Sequence, residues 1–385
     1  MNSRVLPLIA LCAAVAACVY FLLSPATPPA TTGGAADSSH AAPVSVEPRA
    51  DGAGKISAAG GSAASAEKKP ALDWARFAAL AKIGERAGLF PKVTAGDVAR
   101  FFAKHGETPA NLVVAFQKTE DHSLLDRALE LFPNSPIVLM AAVESIPNSA
   151  APKPGEPYVP DARRMEFIER FKAADPNNPL PWILSAQELF KSGQRDAAIA
   201  DIRAAMERPA FYTYSNERTD SAQQLYEDLG LHPAEAGLLA MAGLTLPHMG
   251  AAMQSSRSLM EWQKSATESG DPAATADAIQ LTYSLGRTFA TPEASRTLIG
   301  QLVGISMERR ALEALPADAQ PGWLAAVPAQ RIAEMEAQKQ NVRTLSANLD
   351  WVVQSQNELL LTEYLRRFRN DGEFSALTWL NAQKK

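Results

Sequence analysis

The residues able to do chemistry are few and widely spaced. His105, His122, His232 and His248 lie in the body of the chain, and His40 precedes them. No two stand at metal-binding spacing, and the His-Glu-x-x-His pattern of a zinc hydrolase is absent. His105 and His232 precede a glycine and a proline at helix ends, where an imidazole suits the local dipole or caps. Asp121, before His122, has the type and place of a helix N-cap. The only cysteines are Cys12 and Cys18, so the body holds no disulfide framework, thiolate metal site or thiol nucleophile. Neither a Gly-x-Ser-x-Gly elbow nor a phosphate-cradling Gly-x-x-x-x-Gly-Lys loop occurs. Carboxylates such as Glu166 and Glu169 recur beside bases such as Arg170, the pattern of a solvated helix face. No residue qualifies as catalytic, cofactor-binding or metal-ligating.

Two stretches carry recognition chemistry instead. "FYTYSNER", Phe211 to Arg218, sets Phe211, Tyr212 and Tyr214 beside a helix entry. Aromatics and arginine dominate binding hot spots, although rings at a junction between helices also pack as core. "EYLRRFRN", Glu363 to Asn370, is the densest basic run; helical spacing turns Leu365 and Phe368 inward and Arg366, Arg367 and Arg369 outward. It suits an acidic partner, an anionic lipid or plain solvent. The formal net charge of -5 argues against a nucleic-acid binder.

These residues must be held by helices. From Leu72 on, apolar residues recur at helical spacing, and alternating β-branched runs are scarce. Pro, Gly and Asn-Pro punctuation delimits helices at Asp73–Gly88, Thr94–Lys104, Pro109–Thr119, Ser123–Leu131, Ser135–Ser145, Asp161–Ala174, Leu180–Ser192 and Arg195–Glu207. Further helices are expected at Ser215–Leu229, Pro233–Thr245, His248–Ser269, Pro272–Phe289, Pro292–Leu315, Pro328–Ala347, Gln356–Phe368 and Glu373–Gln383. The expected fold is all-α.

One pair is well marked. Trp182, Ala186 and Leu189 share a face of one helix, and Ala198, Ile202 and Ala205 share a face of the next. Gly193 lies where the first must stop, in a place that favours the left-handed conformation. The unit resembles a tetratricopeptide repeat, whose period is about 34 residues. Trp182 stands at the repeat's Trp, Ser185 and Ala186 at its Leu-Gly, Leu189 at its Tyr, and Ala198, Ile202 and Ala205 in its second helix. Pro209 falls one residue early, and "DPNNP", Asp175 to Pro179, looks like the usual junction. Weaker echoes at Ala128–Pro136 and Glu268–Gln280 extend the resemblance over Pro109 to Phe289, interrupted by the Pro-rich insert Ile146–Pro160. It implies an α-solenoid with a concave surface that binds protein or peptide. An irregular helical domain with one matching unit is the alternative. Trp182, Gln187, Phe211, Tyr212 and Tyr214 are the candidate partner-binding residues.

Beyond the repeats, Met335, Val342 and Leu349 recur every seven residues, as do Leu345 and Val352. This seam can pack on the helix bearing Leu298, Leu302 and Ile305, or join two copies as a homo-oligomer.

The start of the chain speaks to location. Arg4 precedes Val5–Leu23, an uncharged apolar run near the ~20 residues that cross a bilayer. The next Lys or Arg is Arg49, so the positive-inside tendency keeps the N-terminus in the cytoplasm and exports the body of the chain. The run reads as a signal anchor. Cleavage after Ala14-Val15-Ala16 or Ser24-Pro25-Ala26, and a lipobox at Val15-Ala16-Ala17-Cys18 that would lipidate Cys18, are alternatives. Residues 24–70 are Ala, Ser, Gly and Pro with almost no large apolar side chain, a tether with a typical span of roughly 35–40 Å.

The sequence thus divides into a membrane segment (1–23), a linker (24–70), a repeat region (71–289) and a C-terminal helical region (290–385). The expectation is an exported, membrane-tethered protein that binds a protein or peptide as an envelope scaffold or assembly factor. A cell-wall hydrolase with its site in a helical groove, or a structural spacer, is the alternative.

Overall fold

The computed structural model describes residues 72–75, 90–146, 158–208, 211–243, 246–290, 296–346 and 348–384. The expected membrane segment, the linker, Cys12, Cys18 and nearly all of the expected helix Asp73–Gly88 lie outside them. The described residues are helical, without strands, and none of their helices is long and apolar enough to cross a membrane.

In chain order the helices are α1 Ala95–His105, α2 Pro109–Thr119, α3 His122–Leu131, α4 Pro136–Ser145, α5 Ala162–Ala174, α6 Leu180–Lys191, α7 Arg195–Met206 and α8 Ser215–Asp228. Then come α9 Pro233–Ala242, α10 Pro247–Glu268, α11 Pro272–Ala290, α12 Leu298–Glu313, α13 Pro328–Ser346, α14 Asn348–Ser355, α15 Glu358–Asp371 and α16 Glu373–Ala382. Local chemistry sets their ends. Thr94 and Asp97 form a reciprocal capping box on α1, Asp121 accepts from the Ser123 N–H, and His232 Nδ1 accepts from the Ala234 N–H. Two boundaries depart from the sequence reading. α12 starts at Leu298, where the Thr297 side chain caps it. α15 starts at Glu358, where Asn357 caps it, and α14 is a short helix of its own rather than a connection.

Gly193 closes α6 as its position predicts. Its φ of +75° places it in the left-handed region, and the Gln194 N–H reaches back to Leu189 O at 2.9 Å. α6 and α7 then pack together, with Ala186, Ala198, Ile202 and Ala205 inside the seam. A bulky residue here has nowhere to go. Ala198→Trp should separate the pair and destabilise the protein by about 3 kcal/mol or more. A thermal midpoint unchanged by that substitution would contradict the close-packed seam.

Helices α2 to α7 form successive packed neighbours, with α4 apolar all round and buried from Ile137 to Val143. A linear solenoid would next add α8 and α9 beyond α7. Instead the chain doubles back: α8 packs on α1 and α2, and α10 packs on α6. Over α4, Arg218 of α8 meets Glu144 at 3.0 Å. α8 and α10 therefore pack back on α2 and α6 rather than continuing an array beyond α7.

α11 lies against α7 and α10, and α12 against α10 and α11. The closest crossing is between α11 and α12, through Gly286 and Gly304. Phe289 of α11 and Val303 and Met307 of α12 join the same core as α2 to α7, so packing runs unbroken across the expected boundary at 289/290. Val342, Leu345 and Val352 of the sevenfold seam bury with Leu298 and Leu302, and Met335 buries with Ile305. The seam is occupied within one chain and packs on α12. α15 and α16 complete this end, with α15 against α9.

Candidate functional site

The five candidate partner-binding residues fall in two places. Trp182 lies between the Lys172 ammonium, 4.5 Å from its ring centre, and the Arg208 guanidinium at 3.9 Å. Lys172 also meets Asp201 at 3.1 Å and Ser185 Oγ at 2.9 Å, so the indole is walled in by a fixed polar cluster. Gln187 is buried in α6. Gln187 is thus inside the fold, and Trp182 keeps part of its surface exposed.

Phe211, Tyr212 and Tyr214 come together in the segment that enters α8. Asn178 organises it: its Nδ2 donates to Tyr212 O at 2.8 Å, and its Oδ1 accepts from the Tyr212 N–H at 3.2 Å. Tyr214 donates its hydroxyl to Asp175, and burial with that bond pushes its phenol far above the usual range. With φ +53°, Tyr214 takes a left-handed turn that a side chain rarely adopts, held by this network. It is a buried organiser of the loop. Tyr212 points outward with 44% of its surface exposed, and its hydroxyl donates to Glu217 at 2.6 Å. Burial and the Glu217 bond push its phenol up to about 12.

Tyr212 stands at a pocket of about 100 Å³. Phe211, Leu246, Met249, Phe289, Met241 and Phe368 supply apolar wall. Phe211 meets Phe289 edge-on at 4.8 Å, and His248 lies parallel to Phe289 at 6.2 Å. Thr213, Ser215, Asn216, Thr219 and Thr297 bring polar atoms, and Arg296 and Arg369 bring charge. The two stretches singled out by composition, 211–218 and 363–370, thus meet here across about 150 residues of chain. In the second, Arg366 and Arg367 pair with Glu363 at 2.6 and 2.8 Å, and Arg367 covers Trp379. Only Phe368 and Arg369 of that run reach the pocket.

Three residues of the pocket carry no signal in sequence. His248 reads as one of several unpaired histidines, Phe289 as a core position, and Arg296 as part of the expected helix Pro292–Leu315. Their convergence depends on α10, α11 and α12 meeting α8, which no local pattern announces.

His248 is 3% exposed and its buried Nδ1 has no hydrogen-bond partner among the described residues. Burial, with the nearby Arg218 charge, drives its imidazole down to about 3, so the ring stays neutral. The unfolded chain takes up a proton near the ordinary value of 6.5 and the folded chain does not. Stability attributable to this group is therefore present above pH 6.5 and lost as pH falls towards 3. His248→Phe should flatten that part of the acid limb in pH-dependent denaturation. An unchanged slope would place the imidazole in contact with water.

The ionisable lining groups are one neutral imidazole, two guanidinium groups and the Tyr212 phenol. Paired-carboxylate hydrolysis has no acid–base pair to use there. Among the described residues, no group of three His, Cys, Asp or Glu is arranged to hold a metal ion.

Comparisons of the chain with protein-family models, curated proteins and solved structures return no match.

Proposed function

We propose that the protein is an exported, membrane-tethered helical scaffold, built on divergent tetratricopeptide-like helix pairs, that holds a protein partner through the pocket beside Tyr212. The apolar run Val5–Leu23 and the residues 24–70 after it support the tether and the export. The size of the pocket carries the binding reading. Sites for whole small molecules span ~300–1,000 Å³. A pocket of about 100 Å³ suits one anchoring side chain of a larger partner. An exposed aromatic at its mouth and arginines at its rim match the make-up of binding hot spots. α8 and α10, packed on α2 and α6, compete with any peptide laid along those helices. A partner is held at the junction of α8, α10 and α12 instead.

The test is a cross-linking pull-down of the tethered protein from its own membrane, wild type against Tyr212→Arg. Tyr212 is partly outside the fold, so the variant should keep its thermal midpoint. A reproducible partner that is lost, with the midpoint retained, supports the reading. Equal recovery from both proteins contradicts it.

A further inference from the structure

Three helix N-termini converge on the pocket. Ser215, Asn216 and Thr219 belong to the start of α8, Leu246, His248 and Met249 to the start of α10, and Arg296 and Thr297 to the start of α12. The first turns of α8 and α10 have no side-chain cap, and both helices are long, at 14 and 22 residues. Each such end carries roughly half a positive charge, although at α10 Pro247 has no N–H and the Met249 N–H is already donated to Leu246 O at 3.1 Å. Arg296 donates to the carbonyls of Arg369 and Asn370 and meets no carboxylate among the described residues. His248, buried and with no hydrogen-bond partner for its Nδ1 among the described residues, lines the same space.

Nearby carboxylates account for part of this field. Glu217 sits in the first turn of α8, Asp220 lies 3.0 Å from Arg369, and Glu373 accepts from the Leu298 N–H at the start of α12. Among the described residues, no carboxylate pairs with the start of α10, with His248 or with the Arg296 guanidinium. The wall opposite is Phe211, Met249 and Phe289.

We infer that the pocket binds a carboxylate carried on a short apolar stem, with the anionic head at Arg296 and the start of α10 and the stem against Phe211 and Phe289. The inference rests on this pocket being the binding site. The head gains charge-assisted hydrogen bonds, and the stem takes apolar area out of water. A neutral imidazole fits the role, because it keeps one N–H to donate without adding a second full charge. A free short-chain acid and an Asp or Glu side chain of the partner both have this chemistry.

The experiment titrates the full-length protein in detergent with isovalerate, its neutral analogue isovaleramide, and inorganic phosphate, followed by ligand-observed NMR. Isovalerate should bind, and the other two should bind at least about tenfold more weakly. Arg296→Gln should weaken isovalerate about tenfold, while Arg296→Lys, which keeps the charge, should retain part of the affinity. Equal binding of acid and amide, equal binding of phosphate, or no binding of isovalerate would each overturn the inference. Adding isovalerate to the pull-down then separates the sources: loss of the partner assigns the carboxylate to the partner chain, and its retention assigns it to a free acid. If Tyr212→Arg loses the partner while isovalerate does not bind, the scaffold reading stands and this inference alone fails.

Discussion

Gly304→Ala is expected to destabilise the protein by about 3 kcal/mol or more. A Cβ at this position would lie 2.5 Å from the Ala290 nitrogen and 2.6 Å from the Gly286 oxygen. These are backbone atoms of α11 and cannot rotate away. Gly286 faces the same crossing, where a Cβ would come within 2.6 Å of the Glu308 nitrogen. Either substitution forces α11 and α12 apart and disturbs the buried Glu308, which pairs with Arg331 at 2.9 Å. Gly250→Ala is the control. Nothing lies within 4 Å of its added carbon, and alanine is the better helix former by about 0.5–1 kcal/mol. Thermal denaturation should show a marked drop for the first variant and no loss for the control. Equal midpoints would mean that α11 and α12 do not cross at their glycines.

The second large effect lies at Arg164. Glu188 is fully buried, and Arg164 Nε approaches its Oε1 at 3.3 Å. The same guanidinium donates to Val143 O and Ile146 O, closing the end of α4. Arg164→Met strands a buried carboxylate and frees two carbonyls, which should cost about 3–5 kcal/mol. Lys191 at 3.1 Å and the Tyr158 hydroxyl remain on Glu188 and keep the loss from being larger. Adding Glu188→Leu to Arg164→Met should recover much of the stability, since a buried pair replaced by apolar groups is often neutral. Urea denaturation of the two single variants and the double variant measures this. A double variant as unstable as the sum of the singles would show that the two residues act apart.

The helices are legible in the sequence because their signals are local. Thr94, Asp121 and Asp161 each precede a helix and cap it, and Gly193 stops α6 where its place in the pattern requires. The seam of Met335, Val342 and Leu345 also reads correctly as a partner for α12, because periodicity shows which face is buried. Periodicity does not show what buries it. Nothing near Arg218 says that α8 turns back onto α2, or that α10 lies on α6. Of the surface candidates on α6, Gln187 is buried and Trp182 partly so. Tyr212 could be singled out because an aromatic beside a helix entry is itself a local feature. The rest of its pocket is assembled from α8 and five further helices, α9, α10, α11, α12 and α15.

The central claim is that partners are met at this junction rather than on the inner face or elsewhere on the surface. A photo-cross-linking residue placed at Tyr212 tests it against one placed at Leu359, which is 83% exposed on α15. Leu359 lies nine residues before Phe368, about 14 Å along the helix from the pocket. In cells carrying the tethered protein, the account predicts a discrete, reproducible adduct from position 212 and none from position 359. An adduct from 359 with none from 212 would contradict it.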